Sequence, residues 1–369
     1  MNIPKLRFKD NNGNDYPQWE KKLIKDILKI YHGKDYKNEP NEKKLYPVLG
    51  TGGIITYIDK FLCDWECVLI GRKGTINKPQ YMKTPFWSVD TLFYSKPKLK
   101  QNPKFQYYLF QNINWKIYDE STGVPSLSAS TIEHINRFIP TYAEQEKIAS
   151  FFSTIDKKIE NLANTITSLE NQKKGLLQQI LSQKLRFKDE NGNNYPNWEK
   201  KKLEDIAIFL DNKRKPLEQS ERIHGKYPYY GASGIIDYIN DYIFDEELVL
   251  LSEDGANIID RNYPICYIAT GKYWVNNHAH VLKVKSQYVN KFICESLEQL
   301  NYTKYNTGTA QPKLNQDVCR KIILSIPCLE EQTKIANFLS TFDRKLENQK
   351  AQLEHWKQIK KGLLQQMFV

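Results

Sequence analysis

Glu144-Gln145-Glu146-Lys147-Ile148-Ala149-Ser150-Phe151-Phe152 returns 187 positions later as Glu331-Gln332-Thr333-Lys334-Ile335-Ala336-Asn337-Phe338-Leu339. At the same offset, Lys173-Lys174-Gly175-Leu176-Leu177-Gln178-Gln179 returns as Lys360-Lys361-Gly362-Leu363-Leu364-Gln365-Gln366. Between these marks apolar residues recur in steps of three and four: Ile148, Phe151, Ile155, Ile159, Leu162, Ile166 and Leu169 in the first copy, and Ile335, Phe338, Phe342, Leu346, Leu353 and Trp356 in the second. That period is the a/d seam of a long helix. No proline interrupts either copy, so each predicts one helix of about 55–60 Å at ~1.5 Å per residue. A narrow apolar stripe of that length needs a partner, and the other copy supplies one within the same chain. The spacing therefore predicts two long antiparallel helices in an intramolecular coiled coil. The competing reading packs each helix onto its own globular unit.

Outward from the helices the duplication continues. Leu6-Arg7-Phe8-Lys9-Asp10 and Tyr16-Pro17-x-Trp19-Glu20-Lys21-Lys22 recur as Leu185-Arg186-Phe187-Lys188-Asp189 and Tyr195-Pro196-x-Trp198-Glu199-Lys200-Lys201. Gly50-x-x-Gly53-Ile54-Ile55-x-Tyr57-Ile58 recurs as Gly231-x-x-Gly234-Ile235-Ile236-x-Tyr238-Ile239. A missed repeat of this size would misassign the whole fold. Short β-branched and aromatic runs bounded by glycine, asparagine and proline suggest strands at Val48–Gly53, Cys67–Gly71, Phe86–Tyr94, Glu247–Ser252 and Ile265–Ala269. The reading is α+β: a first variable domain over 1–143, a helix over 144–184, a second variable domain over 185–330 and a closing helix over 331–369. Because the central Gly-Leu-Leu-Gln-Gln runs straight into Leu185-Arg186-Phe187, a pseudo-two-fold arrangement is circular and brings the two ends of the sequence together.

Composition bounds the partners. The 369 residues carry a formal charge of +11, of which residues 1–140 hold +8 and residues 185–330 hold −1. A basic balance favours a polyanion, and here it speaks for the first domain only. Apolar runs reach strand length and fall far short of the ~20 residues that cross a bilayer. Six scattered cysteines fit reduced thiols better than a disulfide framework, and the N-terminal residues lack an export pattern. A cytoplasmic protein without a membrane segment is expected.

Catalytic constellations are missing from the sequence. Gly50-Thr51-Gly52-Gly53 and Gly71-Arg72-Lys73-Gly74 fit neither a dinucleotide fingerprint nor a phosphate loop. Cys63-x-x-x-Cys67, with His278 and His280 far off, lacks the paired local dyads of a structural zinc site, so buried thiols and no metal are expected. His32, His134, His224 and His355 stand isolated, and Glu144 and Glu331 fit helix starts, where acids complement the dipole. Binding chemistry remains: Arg72, Lys73, Asn77, Lys78, Tyr81 and Lys83 in the first domain, and Lys213, Arg214, Lys215, Asn276, Asn277, His278 and Lys313 in the second. These residue types contact phosphates and the edges of guanine and adenine.

Two variable units alternating with two near-identical helices, with Thr122-Gly123, Ile139-Pro140 and Glu144-Gln145-x-Lys147-Ile148-Ala149 doubled as Thr307-Gly308, Ile326-Pro327 and Glu331-Gln332-x-Lys334-Ile335-Ala336, resemble the specificity subunit of type I DNA restriction-modification systems. The resemblance covers essentially the whole chain. It implies a non-catalytic subunit in which each variable domain reads one half of a bipartite double-stranded DNA target. The two helices then act as spacer and dock two methylation subunits, with restriction subunits joining through the complex. No cofactor is expected in this chain; S-adenosylmethionine for methylation at adenine N6, and ATP and magnesium for cleavage, belong to the partner subunits. Since the two variable domains differ, the target should be asymmetric. The segment holding Asp241, Asp245, Glu246, Glu247, Glu253 and Asp254 is expected to turn away from DNA. The alternative function is a protein-interaction scaffold with two related heads.

Overall fold

The structure is a computed structural model that describes residues 4–368. It divides into two compact units: one runs to Thr165 and takes in the stretch from Gln349 onward, and the other is Ile166–Asn348. Both divisions fall inside the long helices, Tyr142–Leu181 and Leu329–Met367.

In the first unit, a four-stranded antiparallel sheet runs in the order Leu28–Tyr31, Leu92–Pro97, Cys67–Gly71, Gln80–Met82. A smaller sheet pairs Gly53–Ile58 with Tyr46–Gly50 and, in parallel, Trp87–Ser88. The strand Cys67–Gly71 is buried throughout because both faces are covered: Cys67 and Leu69 belong to the core under the smaller sheet, Val68 and Ile70 to the core under the helices. Period-two alternation with two covered faces reads in sequence as a continuous apolar run. Two expected strands are redrawn. Val48–Gly53 straddles a hairpin turn, since Gly53 takes a φ of +112° that closes it, a conformation open to glycine. Phe86–Tyr94 is two strands in two different sheets, split where the Leu92 amide folds back on the Val89 carbonyl at 3.0 Å.

The second unit repeats this plan. Ala207–Phe209, Ala279–Val284, Leu248–Ser252 and Cys266–Ala269 form its main sheet, and Gly234–Ile239, His224–Gly231, Lys272–Val275 and Phe244–Asp245 the smaller one. Each unit also carries a two-stranded ribbon, Glu20–Leu23 with Asn136–Ile139 and Glu199–Lys202 with Ile323–Ile326.

Each unit packs the beginning of one long helix against the end of the other. In the first, Lys360 pairs with Asp156 at 2.7 Å; in the second, Lys173 pairs with Asp343 at the same distance. The two pairs are images of one another under the 187-residue offset, and in each unit the helices run antiparallel. The seam residues divide into two sets. Ile148 and Ile155, with Phe151 and Ile159 at its margin, join the globular core of the first unit; Ile335 does so in the second, with Phe338 at the margin. Leu162, Ile166, Leu169 and Leu346 are buried farther along, Phe342 sets its ring edge-on to Phe338 at 5.3 Å, and Leu353 is half-buried. Trp356 lies against the core of the first unit. The globular-packing reading thus describes the first turns of each helix; the last turns pack into a globular core as well, Leu364 and Met367 in the first unit and Leu177 and Ile180 in the second, and the ion pairs join the helices in the turns between. The two ends of the sequence do meet: the Leu6 amide donates to the Gln366 carbonyl at 3.1 Å.

The doubled Glu-Gln is a clamp rather than a dipole ornament. The Glu144 carboxylate is fully buried and accepts from Arg7 Nε (3.0 Å), Arg7 Nη2 (2.7 Å) and Trp19 Nε1 (3.0 Å). Glu331 repeats this with Arg186 and Trp198. The neighbouring Gln145 takes the Asn102 amide and donates to the Pro140 carbonyl, as Gln332 does with Val289 and Pro327.

Candidate nucleic-acid interface

At the end of Cys67–Gly71 the chain enters Arg72-Lys73-Gly74. Gly74, with φ +84°, donates its amide to the Pro125 carbonyl at 2.8 Å, and the Leu127 amide donates to the Arg72 carbonyl at 2.9 Å. Ser128 then caps the helix Ala129–Glu133 through the Thr131 amide. This frame borders a cleft of about 430 Å³, lined by His32, Arg72, Lys73, Phe93, Glu120 and Ser130. The second unit reproduces the two backbone bonds of the frame, without a side-chain cap at Asn315. Gly255, φ +107°, donates to the Pro312 carbonyl at 3.0 Å, and the Leu314 amide to the Glu253 carbonyl at 2.7 Å. Its cleft, about 470 Å³, is lined by Asp211, Arg214, Glu253, His280, Gln316 and Arg320.

The two linings differ in electrostatics. In the first, Arg72 makes one weak contact among the described residues, to the Asp90 carbonyl at 3.4 Å, and Lys73 is exposed. In the second, charges are interlocked. His280 Nδ1 lies 2.6 Å from Asp211 and Nε2 lies 2.7 Å from the Leu314 carbonyl. Both ring nitrogens face acceptors, so the ring is an imidazolium. Burial opposes that charge, but the hydrogen bonds to Asp211 and Cys319 outweigh it and lift the pKa to about 10. Arg214 donates to Glu253 at 2.6 Å and to the carbonyls of Asn277 and Ala279. Asp211, Glu253 and His280 have a metal-like spacing, yet their donor atoms are already engaged by Arg214 and by one another, so the group is an ion network.

A pH dependence follows. The raised pKa of His280 contributes stability that is complete below about 6.5 and is lost as pH climbs towards about 10, at a rate of about 1.4 kcal/mol for each step of one in pH. The second unit should lose thermal stability across that window, and His280→Gln should flatten the slope; an unchanged slope in the variant contradicts the assignment.

The structure distributes the sequence candidates unevenly. Arg72 and Lys73 line the first cleft; Asn77, Lys78 and Lys83 are exposed beyond it. Tyr81 is engaged internally: its hydroxyl donates to Glu66 at 2.7 Å and Lys104 Nζ stands 4.1 Å from its ring. Burial, then the Glu66 hydrogen bond, raises its pKa. In the second unit Lys213, Lys215 and Asn277 are exposed, whereas Arg214 is tied into the network and Asn276 is buried, accepting from the His278 amide. His278 faces Asp254 at 2.9 Å and Lys313 faces Glu253 at 3.4 Å. Of the acidic segment, Glu253 therefore lines the cleft, paired with Arg214 and Lys313, and Asp254 flanks it beside the His278 ring. His32, read in the sequence as isolated, lines the first cleft, and Phe93, Glu120, Asp211, Gln316 and Arg320 escaped the sequence reading; the internal alignment, which sets His32 opposite Asp211 and Phe93 opposite His280, is a signal that finds part of them.

Fold and frame define a tandem duplication: two α+β heads, each built on the start of one long helix and the end of the other. Residues 16–171 and 195–355 match the type I restriction modification DNA specificity domain, and the chain belongs to that family. It is 38% identical over 139 residues to a putative type I restriction enzyme specificity subunit of Haemophilus influenzae, covering 38% of this chain and 36% of that protein. It is 23% identical to the MjaVIII specificity subunit of Methanocaldococcus jannaschii, over 97% of this chain and 94% of that one. The fold matches the type I restriction-modification S subunit from M. genitalium with a TM-score of 0.68 and 18% identity, over 100% of this chain and 99% of that chain. Among the described residues no helix is long and apolar enough to cross a membrane.

Proposed function

We propose that this chain is the specificity subunit of a type I restriction-modification complex. Residues 1–143 and 185–330 read two different halves of a bipartite DNA target, and the helices 144–184 and 331–369 set their separation and dock two methylation subunits. Restriction subunits join through the complex, and S-adenosylmethionine, ATP and magnesium act in those partners. The observation that carries the reading is one hydrogen-bonded frame, present in both family-matching halves, holding two different sets of side chains. A protein with that plan presents two unlike readers on one scaffold.

Co-expression with a functional methylation subunit, followed by mapping of N6-methyladenine, should return a single asymmetric bipartite motif; unmethylated DNA overturns the reading. The spacer role has its own test. Deleting seven residues from each helix, within 157–172 and 344–359, keeps Asp156 with Lys360 and Lys173 with Asp343 in register. It removes ~10 Å of helix, which is about three base pairs of duplex at ~3.4 Å each. The unread gap should shrink accordingly, and an unchanged gap refutes the spacer.

A further inference from the structure

Internal duplication supplies a comparison within one molecule. A reader that evolves a new target keeps its scaffold and exchanges the groups that meet the bases. The two clefts fit that description position by position. Their backbone frame is the same: Gly74 to Pro125 and Leu127 to Arg72 in one, Gly255 to Pro312 and Leu314 to Glu253 in the other. The side chains projecting from it are exchanged in kind. Arg72 stands where the second unit has Glu253, and Ala129 where it has Gln316. His32, with its ring 4.9 Å from Phe93, stands where Asp211 meets His280.

We propose that these clefts are the base-discriminating sites of the two heads, and that they read different edges: Arg72 a guanine in the first half-site, Gln316 an adenine in the second. This rests on the DNA-reading function proposed above. Arg72 and Lys73 present donors, with His32 beside them, and paired donors match the O6 and N7 acceptors of guanine. The Arg72 guanidinium is only lightly engaged, so its donors are free to turn. In the second cleft Gln316 Nε2 donates to Asp211 at 2.7 Å, an amide held in place with both a donor and an acceptor. That pattern matches the N6 and N7 edge of adenine. The Arg320 guanidinium, stacked 4.6 Å from the Phe209 ring and 3.5 Å from Gln316 Oε1, closes the far side. The ion network of Arg214, Asp211, Glu253 and His280 holds the wall rigid.

The test uses the chain assembled with its methylation subunit and a pool of duplexes randomised in both half-sites. Arg72→Ala should relax one guanine position of the first half-site by about tenfold or more and leave the second half-site as in the wild type. Arg72→Gln, which keeps a polar side chain, should move that position towards adenine. Gln316→Ala should relax one adenine position of the second half-site alone. Lys78→Ala, outside the cleft, should weaken all sequences alike. Unchanged preferences in the cleft variants, or equal relaxation of both half-sites, overturns the assignment while leaving the specificity function standing. A wild-type complex without any bipartite preference removes that function and the assignment together.

Discussion

Removal of residues 349–369 unfolds the first unit and leaves the second folded. Leu364, Met367 and Phe368 are buried in the core that also holds Trp19, Phe105 and Phe152. The Phe368 ring lies 5.5 Å from Phe105, 6.2 Å from Phe152 and 6.3 Å from Trp19, so the residue that follows the second helix packs into an aromatic cluster drawn from the first domain and the start of the first helix. Substituting one buried Phe or Met by Ala costs about 2–5 kcal/mol, and the deletion removes three large buried side chains from a domain whose whole stability is about 5–15 kcal/mol. It also takes away Lys360, the partner of Asp156. Hydrogen exchange should show lost protection in Leu28–Tyr31, Cys67–Gly71 and Leu92–Pro97, with Leu248–Ser252 and Ala279–Val284 unchanged. Phe368→Ala alone should reproduce the effect in part, at about 3–5 kcal/mol. Equal loss in both units would contradict the assignment of this segment to the first core.

Glu144→Ala should destabilise the first unit by about 1–3 kcal/mol, the cost of leaving the Trp19 indole and the partly buried Arg7 guanidinium without their acceptor. Without the carboxylate, Arg7 keeps only the carbonyls of Tyr16 and Pro17, and the indole of Trp19 loses its acceptor. The hydrogen bond to Glu144 is what holds the Arg7 pKa above its ordinary value. Glu331→Ala should act equally on the second unit, through Arg186 and Trp198. Denaturation followed by unit-resolved exchange checks both, and Glu199→Ala, which removes only an exposed pair with Lys201, should leave the midpoint unchanged. A Glu144 variant as stable as the wild type would show that the clamp does not hold the helix start.

Much of the architecture was legible because a duplicated chain carries its own alignment. The Glu-Gln helix starts, the Gly-Leu-Leu-Gln-Gln ends and the meeting of Leu6 with Gln366 follow from offsets alone. The role of Glu144 did not, since its partners lie 137 and 125 residues away and no local pattern joins an acid to a distant arginine and tryptophan. Tyr81 and Arg214 look in sequence like free contact groups; tertiary packing gives the first to Glu66 and the second to Glu253. The strand boundary at Val89 moved because a run of apolar residues does not say which of two sheets will pair with it, and the one at Gly53 because a hairpin turn closes there.

By itself the sequence determined the duplication, the two long helices, the α+β class and the uneven charge of the two heads, all of which are local or periodic properties. Tertiary structure alone decided which side chains face a common cleft. His32, Arg72, Phe93 and Ser130 come from four separate segments; strand pairing sets the first three side by side, and the hydrogen-bonded frame around Gly74 and Leu127 adds the fourth. Sequence spacing fixes neighbours along a helix or strand; neighbours across a sheet are set by register and by burial of both its faces.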